Sequence, residues 1–192
     1  MHRSDDADPR ETVSRRSFLT LGLGAAAASA TALVTCPVEA AVRALPERGL
    51  NLYNIHTGET LKTVYWSQGR YLPKSLVQIN RFMRDHRSGE VTQIDPRLLD
   101  LMLAMHKKFN GRGAIHIISG YRSPASNAML VSATDGVAHN SLHMRGKAVD
   151  IRIPGQSTKL VGRAAKSLRA GGVGVYPSSN FVHIDTGRVR YW

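Results

Sequence analysis

Hydrophobic positions along the chain fall into two periods. Leu50–Ile55 and Leu61–Trp66 read as short strands around the turn-like stretch His56-Thr57-Gly58-Glu59, which predicts a hairpin. Between Pro73 and His86 the period changes. Leu76, Ile79, Phe82 and Met83 recur at spacings of three and four, the apolar stripe of a helix. Asp95-Pro96 reads as an N-cap followed by a first-turn proline, since the carboxylate can accept a free amide and the proline has none to leave unpaired. The helix it opens runs to about Phe109, with Leu98, Leu99, Met102, Leu103 and Met105 on its buried face.

The second half is richer in strands. Ala114–Ser119 is β-branched and apolar, and Gly120-Tyr121-Arg122-Ser123-Pro124 ends it in a turn. Asn127–Val131 reads as a short helix, and residues 132–142 as a polar loop. Ala148–Ile153 is a strand. Ser157 caps a helix that runs to Ala170 and stops at Gly171-Gly172. Val173–Tyr176 and Phe181–Asp185 are the last strands. The expected fold is α+β, a small antiparallel sheet with helices packed to one side.

The first 41 residues stand apart. Ser14-Arg15-Arg16-Ser17-Phe18-Leu19 precedes an Ala/Gly-rich, mildly apolar run too short for a membrane span. This segment resembles a twin-arginine export signal, with small residues for cleavage near Ala40 or Ala41. The resemblance implies an extracytoplasmic, periplasmic location and no stable membrane insertion after cleavage. An uncleaved anchor, or a lipoprotein acylated at Cys36, is the alternative; Thr35 fits the latter poorly. Residues 42–192 then form one domain, with N-terminal strands and helices over 42–110 and a core over 111–192.

Charge narrows the partners. The chain has 26 Lys and Arg against 14 Asp and Glu. Residues 1–41 hold four arginines and five acidic residues, so the remainder carries 22 basic against 9 acidic side chains. Such a chain is drawn to polyanions; outside the cytoplasm these are wall polymer, lipopolysaccharide or lipid. Simple solubility accounts for the excess equally well. There is no helix-turn-helix or aromatic-laced basic motif, so no nucleic-acid partner is expected. The single cysteine, Cys36, lies in the signal, which excludes a disulfide framework or a thiolate metal site in the mature chain.

Three stretches carry candidate chemistry: "SLHMRGKAVDI", "NFVHIDTG" and "SGYRSPASN". In the first, His143 ends a polar loop, Gly146 allows a tight turn, and Asp150 enters a strand between Val149 and Ile151. A carboxylate so placed is costly to bury unless it is paired or bound to metal. In the second, Phe181, His183 and Asp185 share one strand face. His143, Asp150 and His183 make a three-ligand zinc set with a fourth position free for water. Other pairings satisfy the same residues: His143 capping a turn, Asp150 with Arg152 or Arg122, and His183 with Asp185.

The first stretch resembles the Ser-x-His-x-x-Gly-x-Ala-x-Asp signature of zinc peptidases related to D-Ala-D-Ala carboxypeptidases, lysostaphin and the Hedgehog N-terminal domain. "ISGYRS", "RAGGVGVYPSSNFVHIDTG" and the terminal "RYW" are similar to the murein endopeptidase K branch of that group, over nearly the whole chain. The resemblance implies one zinc ion on His143, Asp150 and His183. It also implies substrate contact by Arg122, with Tyr121 beside it. The implied substrate is peptidoglycan, opened at cross-links; trimming of a terminal D-Ala, or a non-catalytic wall-binding module, are the alternatives. The carboxypeptidase relatives carry an acidic base three residues before the last ligand, where this chain has Asn180. Asp185 is the preferred base or orienter of the attacking water, or else the residue that holds a ligand imidazole. His139 is the other candidate, and Asp135 lies in the polar loop.

Overall fold

The computed structural model describes residues 46–133 and 137–192. The export signal expected over residues 1–41 and the loop carboxylate Asp135 lie outside them. The described chain forms eight strands: β1 Arg48–Asn54, β2 Thr60–Ser67, β3 Arg70–Tyr71, β4 Ile115–Ser119, β5 Ala148–Arg152, β6 Gly172–Tyr176, β7 Phe181–Asp185 and β8 Arg190–Tyr191. Four helices accompany them: α1 Pro73–Phe82, α2 Pro96–Lys107, α3 Pro124–Ala133 and α4 Thr158–Leu168. No described helix is long and apolar enough to cross a membrane.

The fold is α+β, and its sheet is larger than the pattern predicts. The order is β3-β2-β1-β4-β5-β7-β6-β8. The middle strands β4, β5, β7 and β6 are antiparallel neighbours and form the small sheet expected. The N-terminal hairpin extends it, because β1 pairs with β4 in parallel, and β8 adds a parallel edge beside β6. Helices α1 and α2 form the long connection that a parallel β1–β4 pairing requires.

Strand alternation sorts the two faces. Leu52, Ile115, Ile117, Val149, Ile151, Val182 and Ile184 are fully or almost fully buried and join Ile79, Leu98, Met102, Met105, Val161 and Ala165 of α1, α2 and α4 in one core. The intervening residues, Asp150 and His183 among them, point to the other face. Asp100 locks α2 to the edge strands by accepting from Tyr65 Oη at 2.9 Å and Tyr71 Oη at 2.7 Å, with Arg48 at 2.9 Å.

The caps follow the chemistry of the chain. Asp95 accepts from Arg97 N, and Ser157 from Leu160 N. Helix α4 ends earlier than the glycine pair suggests, at Leu168, and Arg169 takes the left-handed cap at φ 50°. Gly172 has a different use: a Cβ there would run into the Asp185 carboxylate and the Arg190 guanidinium.

Candidate metal centre and cleft

Asp150 and His183 lie directly opposite one another on the paired strands β5 and β7. His143 comes from a 3-10 turn, Leu142–Arg145, just before β5. Ser141 opens this turn by accepting from His143 N, and Gly146 closes it at φ 63°. A bulge at the end of β4 sets Ser119 opposite Asp150, and such bulges re-aim side chains beside functional sites.

The three side chains converge. His143 Nε2 lies 3.2 Å from His183 Nδ1 and 3.3 Å from an Asp150 Oδ1 that is itself 2.9 Å from His183 Nδ1. Ligand atoms about 2.1 Å from a tetrahedral ion lie about 3.4 Å from one another, so the triangle has nearly the size of one tetrahedral face.

The outer atom of the His143 ring fixes its tautomer, and the outer atom of His183 offers the matching arrangement when its inner nitrogen is bare. His143 Nδ1–H donates to Gly120 O at 2.7 Å, and His183 Nε2–H donates to Asp185 Oδ2 at 3.0 Å. Each imidazole, when neutral, therefore aims a bare lone pair at the other and at the carboxylate. Three lone pairs facing inward in a buried space repel unless a proton or a metal cation joins them, and although burial opposes it, the carboxylates on either side of His183 push its pKa up. His143, Asp150 and His183 are thus a candidate metal site whose donor set and spacing fit a zinc-like ion.

Asp185 is fully buried and all of its acceptor positions are engaged. Its Oδ1 accepts from Gly172 N at 3.0 Å, Gly187 N at 2.8 Å and Arg190 Nη1 at 3.1 Å; its Oδ2 accepts from His183 and from Arg190 Nη2 at 2.8 Å. Burial alone would raise its pKa, but these donors hold it well below the usual carboxylate range. Asp150 behaves alike: burial opposes ionisation, and the two histidines overcome it.

The centre opens into a cleft of about 750 Å³. Arg122 lines it, with a side chain only 12% exposed. Its Nε has no partner, Nη1 reaches Asn127 Oδ1 at 3.4 Å, and Nη2 stands 3.8 Å from Asp150 Oδ2. Burial pushes its pKa down. Asn127 braces the loop by donating to Ala138 O and His139 O, both at 3.2 Å. On the β6–β8 side the wall is aromatic: Phe181 stacks on Tyr176 at 4.5 Å, and the Trp192 indole lies 5.3 Å from the His183 ring and donates to Tyr176 Oη at 2.7 Å.

Two other expected residues sit elsewhere. Tyr121 packs against the hydrophobic core, and exposed His139 is not among the residues lining the cleft. Asn180 is a turn residue at φ 53°, its side chain held by Thr158 Oγ1 at 2.9 Å. Sequence reasoning missed Tyr176 and Trp192, and also His56, His86 and Arg87 at the opposite end of the cleft. Nothing in their spacing marks them, although Tyr176 and Trp192 fall within the family-like stretches quoted above, because they come from two turns, the end of β6 and the residue after β8, far apart in the chain.

The sequence model of a family described as "Peptidoglycan L,D-endopeptidase MepK" matches residues 42–192. Peptidoglycan L,D-endopeptidase MepK of Escherichia coli (strain K12) is 40% identical over 179 residues, 93% of this chain and 97% of that protein. The probable peptidoglycan L,D-endopeptidase MepK of Haemophilus influenzae is 39% identical over 180 residues, 93% of this chain and 95% of that protein.

Proposed function

The chain belongs to the MepK family of peptidoglycan L,D-endopeptidases, and on that premise we propose that it is a zinc peptidase that hydrolyses the peptide cross-links of peptidoglycan outside the cytoplasmic membrane. The observation that carries the reading is the convergence of three inward lone pairs from His143, Asp150 and His183 within 3.3 Å of one another. When bound there, zinc supplies Lewis acidity, activating water near neutral pH and polarising the carbonyl to be attacked.

The protein groups do the rest. Gly120 O and Asp185 fix the two imidazoles in the tautomers that leave the inner nitrogens free. Asp185 is read as this positioning group, since a carboxylate with every acceptor site taken and a depressed pKa is a poor proton acceptor. Arg122 offers a desolvated, under-partnered guanidinium beside the centre. It suits a substrate carboxylate, or the oxyanion that develops at the carbonyl. The cleft continues on both sides of the centre, toward Trp192 and toward His86, which favours cutting within a cross-link over trimming an end. Export by the twin-arginine route is supported by the Ser14–Leu19 motif.

Digestion of purified sacculi tests the reading. Dimeric muropeptides should decline, with matching monomers appearing, when zinc-loaded protein is added, and a chelator should stop the reaction. Dimers that persist undiminished would overturn it.

A further inference from the structure

The cleft carries a second group of cationic and imidazole side chains that the mechanism above does not use. At the end remote from Trp192 its walls include His56, from the β1–β2 turn, and His86 and Arg87, from the turn after α1. The two imidazoles stack 3.9 Å apart and within 7° of parallel. The Arg87 guanidinium has no ion-pair partner among the described residues; only its backbone N–H is engaged, with Asp85.

Both turns are built firmly. Asp85 is 1% exposed. Its Oδ1 accepts from Arg87 N at 2.8 Å, and its Oδ2 from Ser123 N at 2.8 Å, which ties this turn to the residue after Arg122. Buried Asn54 does the same for the other turn, accepting from His56 N at 2.9 Å and Thr57 N at 3.2 Å.

Charge in the cleft is unbalanced. Asp150 is the one carboxylate lining it among the described residues, and it is engaged with the two histidines. Arg190 is neutralised by Asp185. Arg122 keeps only a loose approach to Asp150, at 3.8 Å, and Arg87 has no ion pair among the described residues, so the space the two guanidiniums face carries an excess of positive charge that favours an anion. Burial, with His56 and Arg87 nearby, pushes the His86 pKa down; a neutral imidazole still offers one N–H to an anion.

We propose that His56, His86 and Arg87 form an anion subsite that takes a second carboxylate of the cross-link, beyond the one met by Arg122. The inference rests on the reading of the cleft as a site for peptidoglycan peptides, whose stems carry several free carboxylates. It makes this arm of the cleft a determinant of substrate choice.

The test uses the full zinc-loaded protein and two labelled synthetic probes: a cross-linked dimer of acidic stem peptides, and the same dimer with its free carboxylates amidated. Binding is read by stopped-flow anisotropy before turnover. The H86Q/R87Q double variant should bind the acid dimer about tenfold more weakly, since charge-assisted hydrogen bonds are lost, and should bind the amidated dimer as the wild type does. R87K should recover part of the loss. R163Q, on the exposed side of α4, should change neither, which controls for net charge. Equal losses for both probes, or none for either, would overturn the proposal. A wild type that prefers the acid dimer but leaves it uncut would sink the hydrolytic reading while leaving this one standing.

Discussion

His183 lies between two carboxylates, with Asp150 at Nδ1 and Asp185 at Nε2. The two removals have different consequences. Changing His183→Ala deletes one of three donors, and metal analysis after dialysis should find zinc content falling from about one ion per chain to near zero. Changing Asp185→Asn leaves every donor but weakens the hold on the ring. Zinc affinity should fall about 10–100-fold in competition with a chelator. An Asp185→Asn protein that competes as well as the wild type would show that the ring needs no such support. Asp85 gives a prediction in pH. Burial opposes its ionisation, but donors from Ser126, Ser123 and Arg87 hold its pKa well below the usual range. A depressed folded-state pKa adds stability above the unfolded value of about 3.9, and that stability is lost as pH falls through and below it. Asp85→Ala should therefore cost about 1–3 kcal/mol at pH 7 through the amides left unpaired. Urea unfolding at a series of pH values should show the gap to wild type narrowing below about pH 4.

Among the elements, the short turn bearing His143 is the most constrained. Gly146 has φ 63°, and a Cβ there would strike the carbonyl of Gln93. Its own carbonyl accepts from Asp95 N at 2.9 Å, the N-cap residue of α2. Gly146→Ala should cost at least the roughly 1–2 kcal/mol of a left-handed backbone at a non-glycine residue, seen as a lower urea midpoint, and should loosen zinc in the same protein. This turn was legible in part. Gly146 and the His143–Asp150 spacing stand out in the sequence, whereas the packing of Gln93 on Gly146 does not, because it joins segments about 50 residues apart. The glycine pair Gly171-Gly172 was misleading for a related reason. It reads as a helix stop, but tertiary contact with Asp185 and Arg190 is what requires Gly172 to lack a side chain.

For the whole molecule, long-range charge matters most. Formal net charge is +12, and the carboxylates Asp150 and Asp185 are buried, so the basic excess lies at the surface. Attachment to anionic sacculi should weaken severalfold as salt is raised and the Debye length shrinks from about 10 Å at 0.1 M to about 3 Å at 1 M. Co-sedimentation of the His183→Ala protein with sacculi measures this without digestion; binding insensitive to salt would show that the basic excess contributes little to attachment.

Local pattern by itself determined the antiparallel strands around the site, the caps at Asp95 and Ser157, and which side chains of β5 and β7 share a face, because alternation and capping depend on near neighbours. Only the tertiary structure decided that Asp150 stands opposite His183, that the end of β4 supplies the carbonyl fixing His143, and that three distant segments line one cleft. It also joined the N-terminal hairpin to the same sheet through a parallel pairing that carries no mark in either strand. Such choices are made by packing and pairing between remote segments, which no short window of sequence contains.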